Sequence, residues 1–140
     1  MVYVKKSDKI PDNAQKGIEA CAELAEKMFD AGMKHENVYL DPLVPTVATQ
    51  QDAGKVVYDT IIGLKKEVPY AGILCGLSNV GFGLPKRKLI NRTFLAILGI
   101  AGLDGAIIDP LDKELMLTLV TTKMLAGKDK RCRQFLKAVK

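Results

Sequence analysis

The residues best suited to chemistry stand where apolar runs give way to turns. Asp41 and Asp109 each close a short apolar stretch and are each followed by proline, Ser78 and Asn79 follow the apolar run 71–77, and Lys5, Lys6 and Ser7 follow the run at the start of the chain. Polar groups thus gather at the ends of segments whose interiors are apolar, the pattern of a site carried by a rigid scaffold. Each has a plainer alternative. Aspartate before proline is a common way to leave a strand and can simply cap a turn, and Ser78-Asn79 can be a turn as well. The segment from Gly76 to Pro85 adds weight to a site, because Gly76, Gly81 and Gly83 let backbone approach a ligand closely. It contains neither a dinucleotide fingerprint nor a Walker lysine, which argues against phosphate cradling.

Other reactive residue types are less promising. Cys21, Cys75 and Cys132 are odd in number, with no Cys-x-x-Cys pair, so neither a disulfide framework nor a zinc knuckle is expected, and no metal ligands are evident. Cys21 and Cys75 fall at apolar-face positions and read as small core residues. His35 follows Gly32 just past an expected helix end and reads as incidental.

The elements that must position these residues are four strand–helix units without a linker. Residues 1–5 form a first expected strand. Asp12 and Gln15 have capping-box spacing before a helix whose apolar stripe is Ile18, Cys21, Leu24, Ala25, Met28 and Phe29, with Gly32 as the stop. Residues 37–40 form the second strand. Thr49 and Asp52 are spaced to cap a helix with the stripe Ala53, Val56, Val57, Thr60, Ile61 and Leu64. Residues 71–77 form a third strand, a continuous apolar run typical of burial on both faces. A helix over 88–101 ends at Gly102, residues 105–108 form the fourth strand, a helix over 113–126 stops at Gly127, and a short basic helix closes the chain. Such alternation predicts an α/β fold with parallel strands. It fits either a small doubly wound sheet or half of an eight-stranded barrel, and in both, ligands bind beyond the carboxyl ends of the strands.

With 140 residues, 48% hydrophobic and 26% charged, the chain is long enough for one domain with its own core and too apolar for disorder. The run 94–103 is about half of what a membrane span needs. The order of apolar and basic residues at the start is wrong for a secretory signal, so the cytoplasm is the expected location and no membrane partner is expected. The excess of 21 basic over 16 acidic residues gathers at Lys5/Lys6/Lys9, at Lys86-Arg87-Lys88 with Arg92, and over 128–140. No aromatic residues interleave with these clusters, so nucleic acid is not an expected partner.

The run from Gly76 to Pro85, continued by Lys86-Arg87 and by Leu89-Ile90-Asn91-Arg92-Thr93-Phe94-Leu95, resembles the pterin-binding methyltransferases that move a methyl group from methyltetrahydrofolate to a corrinoid protein. Tyr39-Leu40-Asp41-Pro42-Leu43 resembles the preceding strand end of that family, and Gly102 to Ile107 its last strand. The resemblance implies that residues 1–140 are the C-terminal half of a TIM-type barrel like that of dihydropteroate synthase. It also implies that four further units, with an aspartate and an asparagine that grip the pterin, belong to the complete barrel. Carried over residue by residue, the family's asparagine falls on Asn79, as the catalytic hydrogen-bonding group at the methylated nitrogen. Its aspartate falls on Asp41, facing the amino-pyrimidine edge of the pterin, and its arginine on Arg87, near the folate tail; Gly76 and Ser78 complete the expected substrate-binding set. A tertiary amine is a poor leaving group, so a hydrogen bond that strengthens as charge changes on that nitrogen is what catalysis would require.

The nucleophile would be the cobalt of a reduced corrinoid carried by a separate protein. The expected partners are that corrinoid protein and either an N-terminal half-barrel chain or a second copy of this one. Position 81 is glycine where the family has serine, and Lys5-Lys6 replace smaller polar residues. Two rival readings remain: another pterin barrel such as dihydropteroate synthase, which calls for a Ser-Arg-Lys loop in place of Ser78-Asn79-Val80, and a non-catalytic half-barrel that binds a partner protein.

Overall fold

In the computed structural model, which describes residues 10–140, three short strands pair in parallel in the order of the chain. Strand β1 (Tyr39–Leu40) lies beside β2 (Gly72–Gly76), with Tyr39 opposite Gly72 and Leu40 opposite Ile73. Strand β3 (Gly105–Ile107) lies on the other side of β2, with Leu74 opposite Gly105 and Gly76 opposite Ile107. The first expected strand and the Lys5/Lys6/Ser7 and Lys9 positions lie outside the described residues.

Helices α1 (Ala14–Asp30), α2 (Ala53–Glu67), α3 (Arg87–Ala101) and α4 (Lys113–Leu125) contribute to one core, and each packs on the next along the chain. Cys21 and Ala25 of α1, Val57, Ile61 and Leu64 of α2, Phe94 and Leu98 of α3 and Leu115 of α4 join Val38, Leu40, Ile73, Cys75 and Leu77 in it. Tyr39 and Ile107, which point to the other side of the sheet, are exposed. Sequential parallel strands with helices on one face fit a partial barrel; a doubly wound sheet would have helices on both.

The local reading needs four corrections. The first helix is capped by Asn13, whose side chain accepts the Lys16 N–H at 3.0 Å, while Asp12 pairs with the Lys16 ammonium at 2.8 Å. Residues 35–37 form a turn of 3-10 helix, so the second strand is only two residues long. Neither Thr49 nor Asp52 caps α2 through its side chain; the Thr49 hydroxyl donates to the Thr46 carbonyl instead. Strand β2 is buried on alternate positions only, Ile73 and Cys75 inside and Gly72, Leu74 and Gly76 half-buried, because among the described residues only one side of the sheet is covered by helices. The helix stops are as expected: Gly32, Gly102 and Gly127 take left-handed φ of +85°, +111° and +71°.

The amino ends of the strands hold structural contacts. His35 stacks on Tyr70 at 4.3 Å and meets the edge of Phe29. Asp104 accepts the Ile73 N–H at 2.8 Å and pairs with Lys65, tying α2 and β2 to the entry of β3. Short helix α5 (Arg133–Ala138) is capped by Asp129, whose two oxygens accept the Gln134 and Phe135 N–H groups at 3.0 Å each.

Candidate functional site

Parallel strands end on one side, so Asp41, the Gly76–Asn79 segment and Asp109 all stand at the carboxyl edge of the sheet. The two aspartates make the same turn. Asp41 Oδ1 accepts the Leu43 N–H at 2.9 Å, and Asp109 Oδ1 accepts the Leu111 N–H at 2.9 Å. The turn-capping alternative is therefore correct for one oxygen of each. Asp41 differs in its surroundings: burial raises its pKa above the usual carboxylate value, only partly offset by the Leu43 bond. Its charge is felt by Cys21 and Cys75, whose thiols burial, with Asp41 as the second cause, pushes up to about 12. Asp41 is thus a half-buried carboxylate between α1 and the end of β2, and the two thiols beside it are inert.

After Gly76 the chain turns into a 3-10 helix, Leu77–Gly81, which buries Leu77 and Val80 and leaves Ser78 and Asn79 exposed. The Asn79 Nδ2 lies 3.5 Å from where a Cβ on Gly76 would stand, which puts the amide over the carboxyl end of the open sheet face. The other glycines on that face are tightly covered. A Cβ on Gly72 would come within 2.5 Å of the Tyr39 ring, and one on Gly105 within 2.9 Å of Leu74. The uncrowded end of the face is the one beneath Asn79. At Gly81 a Cβ would make only ordinary contact with Ile90, at 3.4 Å, so the absent serine is not a matter of space.

Two groups that sequence reasoning passed over hold this loop. Thr46, in the β1–α2 connection, donates from Oγ1 to the Phe82 carbonyl at 2.6 Å, and the Val47 N–H donates to the Val80 carbonyl at 3.0 Å. The connection that begins at Asp41 therefore buttresses the loop that carries Asn79. No spacing rule marks Thr46, since its partners lie more than thirty residues away. Gly83, at φ +81°, lets the loop turn toward α3 where a side chain would be strained. Arg87, at the start of α3, donates from Nη2 to the Ser78 carbonyl at 3.1 Å and lies over the Phe82 ring at 5.6 Å.

Beside this loop, between the start of α3 and the β3–α4 turn, is a crevice of about 420 Å³. Arg87, Lys88 and Asn91 line one wall, Asp109 and Asp112 the other. Asp112 also caps α4, its Oδ1 accepting the Leu115 N–H at 3.1 Å. Among the described residues no cluster of His, Cys, Asp and Glu could hold a metal ion, and no helix is long and apolar enough to cross a membrane. The five expected site residues are brought to one side of the sheet: Asp41 at one strand end, Gly76, Ser78 and Asn79 at the next, and Arg87 folded back onto Ser78.

No protein-family model matches the chain. It is 31% identical over 129 residues to the methylcorrinoid:tetrahydrofolate methyltransferase of Eubacterium limosum, a match that covers 92% of this chain and 48% of that protein. It is 34% identical over 102 residues to the methionine synthase of Mycobacterium leprae, covering 65% of this chain and 8% of that protein. The methionine synthase of Mycobacterium tuberculosis gives a similar match, 34% over 97 residues and 8% of its length. The chain thus spans about half the length of the first relative and a small part of the other two. It is related to a methyltransferase named for a methylcorrinoid and tetrahydrofolate, as the resemblance in its sequence implies.

Proposed function

We propose that this chain is the C-terminal half of a pterin-binding barrel that transfers a methyl group between methyltetrahydrofolate and the cobalt of a corrinoid carried by another protein. The single observation that carries the reading is the Asn79 amide standing over the one uncrowded end of the open sheet face, on the same edge as the half-buried carboxylate of Asp41. The similarity to the Eubacterium limosum enzyme supports it. In this reading Asp41 keeps Oδ1 on the Leu43 N–H and uses Oδ2 to accept from the amino-pyrimidine edge of the pterin. Asn79 hydrogen-bonds the methylated nitrogen, donating through its amide nitrogen or accepting through its oxygen once that nitrogen is protonated. The bond tightens as the carbon–nitrogen bond breaks or forms, so the same contact serves transfer in either direction. Of the glycines on the open face, Gly76 is the one that leaves room for a flat ring system.

The relatives' extra length and the open sheet face favour one further statement: the remaining strands of the barrel are needed for turnover. The experiment follows methyl transfer by the visible absorbance of a corrinoid protein, with this chain alone and with a polypeptide supplying the N-terminal half of the relatives. Transfer only in the combined sample supports the proposal. Transfer by neither, despite binding of methyltetrahydrofolate, leaves a non-catalytic half-barrel as the correct reading.

A further inference from the structure

Leu43, two residues past Asp41, stands at φ +55°, in the left-handed region that a residue with a side chain enters only at a cost. The bond from its N–H to Asp41 Oδ1, at 2.9 Å, holds it there. Pro42, Val44 and Pro45 around it are buried, and the two prolines fix their own φ. The connection that leaves Asp41 is therefore stiff, with a strained residue pinned at its start.

Its far end is bonded to the loop of Asn79. Thr46 Oγ1 donates to the Phe82 carbonyl at 2.6 Å and lies 3.4 Å from the Val80 carbonyl, which accepts the Val47 N–H at 3.0 Å. Before Asn79, the Ser78 carbonyl accepts from Arg87 Nη2 at 3.1 Å. The carbonyls of residues 78, 80 and 82 are thus all taken by groups from outside the 3-10 helix. Such a turn has poor hydrogen-bond geometry of its own, so outside bonds weigh heavily in its conformation. Asn79 joins the same set, because its carbonyl accepts the Phe82 N–H at 3.0 Å. Its side-chain amide has no hydrogen-bond partner among the described residues, so where that amide can reach is set by the backbone that carries it.

We propose that Thr46 is the positioning residue for Asn79: its hydroxyl fixes where the Asn79 amide stands and so sets the rate of methyl transfer. The proposal rests on the methyltetrahydrofolate reading above and deepens it. One stiff segment then runs from the carboxylate that holds the pterin to the loop that carries the amide, so a ring seated on Asp41 Oδ2 meets an amide placed from the same connection.

The test is a double-mutant cycle of Thr46→Val and Asn79→Ala in the assembled barrel, with Thr46→Ser as the variant that keeps the hydroxyl. Thr46→Val should lower kcat for methyl transfer roughly three- to tenfold, the worth of one hydrogen bond, and leave KM for methyltetrahydrofolate within about twofold. Thr46→Ser should restore most of the loss. In the Asn79→Ala background Thr46→Val should lower the rate no further, since the amide it positions is gone. An equal loss in both backgrounds, a KM that rises as much as kcat falls, or no rescue by serine would overturn the assignment and leave Thr46 as a brace of the fold. A second readout needs no turnover. The Asn79 side-chain amide signal in a nitrogen-edited NMR spectrum of this chain, identified by its loss in Asn79→Ala, should shift with Thr46→Val and return with Thr46→Ser. If the assembled unsubstituted protein transfers no methyl group, the methyltetrahydrofolate reading fails and the amide signal decides alone: a signal that ignores Thr46→Val overturns the positioning role as well.

Discussion

On the side of the sheet that meets the helices, Val38, Leu40, Ile73, Cys75 and Leu77 are each no more than 1% exposed. On the opposite side, Tyr39 is 43% and Ile107 is 53% exposed, and the positions between them include Gly72, Gly76 and Gly105. The covered face is an ordinary core of branched aliphatics. The open face has too few side chains to make a core of its own, and its least crowded glycine is Gly76, at the carboxyl end beneath Asn79. In a closed barrel of about eight strands such a face would be the lined interior. The difference teaches that the core is drawn from one face, which leaves the other free for the ligand role proposed above.

The largest effect should come from the covered face. Ile73→Ala is expected to cost about 2–5 kcal/mol in denaturant unfolding, while Leu74→Ala, one residue along and half-buried, should cost much less. Equal losses would break the comparison, because they would mean that the open face is covered in solution. Next comes the chemistry at the edge of the open face. Asn79→Ala should lower the rate of methyl transfer by about 10²–10³ in an assembled barrel, as for loss of one transition-state donor, with little change in folate affinity. Parallel losses in rate and affinity would reduce Asn79 to a binding contact.

Asp41 joins the two faces, since it packs near Cys21 and Cys75 yet has an oxygen to spare for a ligand. Asp41→Asn is expected to weaken pterin binding by about 1–3 kcal/mol through mismatch with the ring's donors. Its effect on the unliganded chain should be the opposite. Burial raises the folded pKa of Asp41 above the usual 3.8, so its contribution to stability is complete below that value and is lost as pH rises through the raised one. Asparagine keeps the Oδ1 acceptor for Leu43 and removes the charge, which should flatten this part of the pH–stability profile above 3.8. An unaltered profile with unaltered affinity would leave Asp41 as a turn cap alone.

The smallest effect tests the buttress. Thr46→Val keeps the shape and removes the donor to the Phe82 carbonyl, for an expected loss of about 0.5–1.5 kcal/mol. Hydrogen exchange should quicken at the Phe82 and Leu84 amides, which bond within the loop, and not in β2. Uniform quickening would mean that the loop and the core unfold as one unit.

Much of this was legible in the chain itself. Helical periodicity marked α1 and α2 because each buries one stripe, and glycines marked where three helices stop, since few other residues adopt left-handed φ easily. The strand ends that carry Asp41, Asn79 and Asp109 could be read from the break between apolar run and turn. Periodicity could not say which face of the sheet stays open: residues 71–77 are apolar throughout, and burial on one face or both gives the same letters. Nor could it choose Asn13 over Asp12 as the first cap, since both are good capping residues one position apart. What only the tertiary structure decided is what depends on distant partners. Thr46 reaches the Asn79 loop across more than thirty residues, and Arg87 folds back onto Ser78. Local sequence fixes the conformation a segment prefers, but contacts between segments far apart in the chain exist only once the backbone has brought them together.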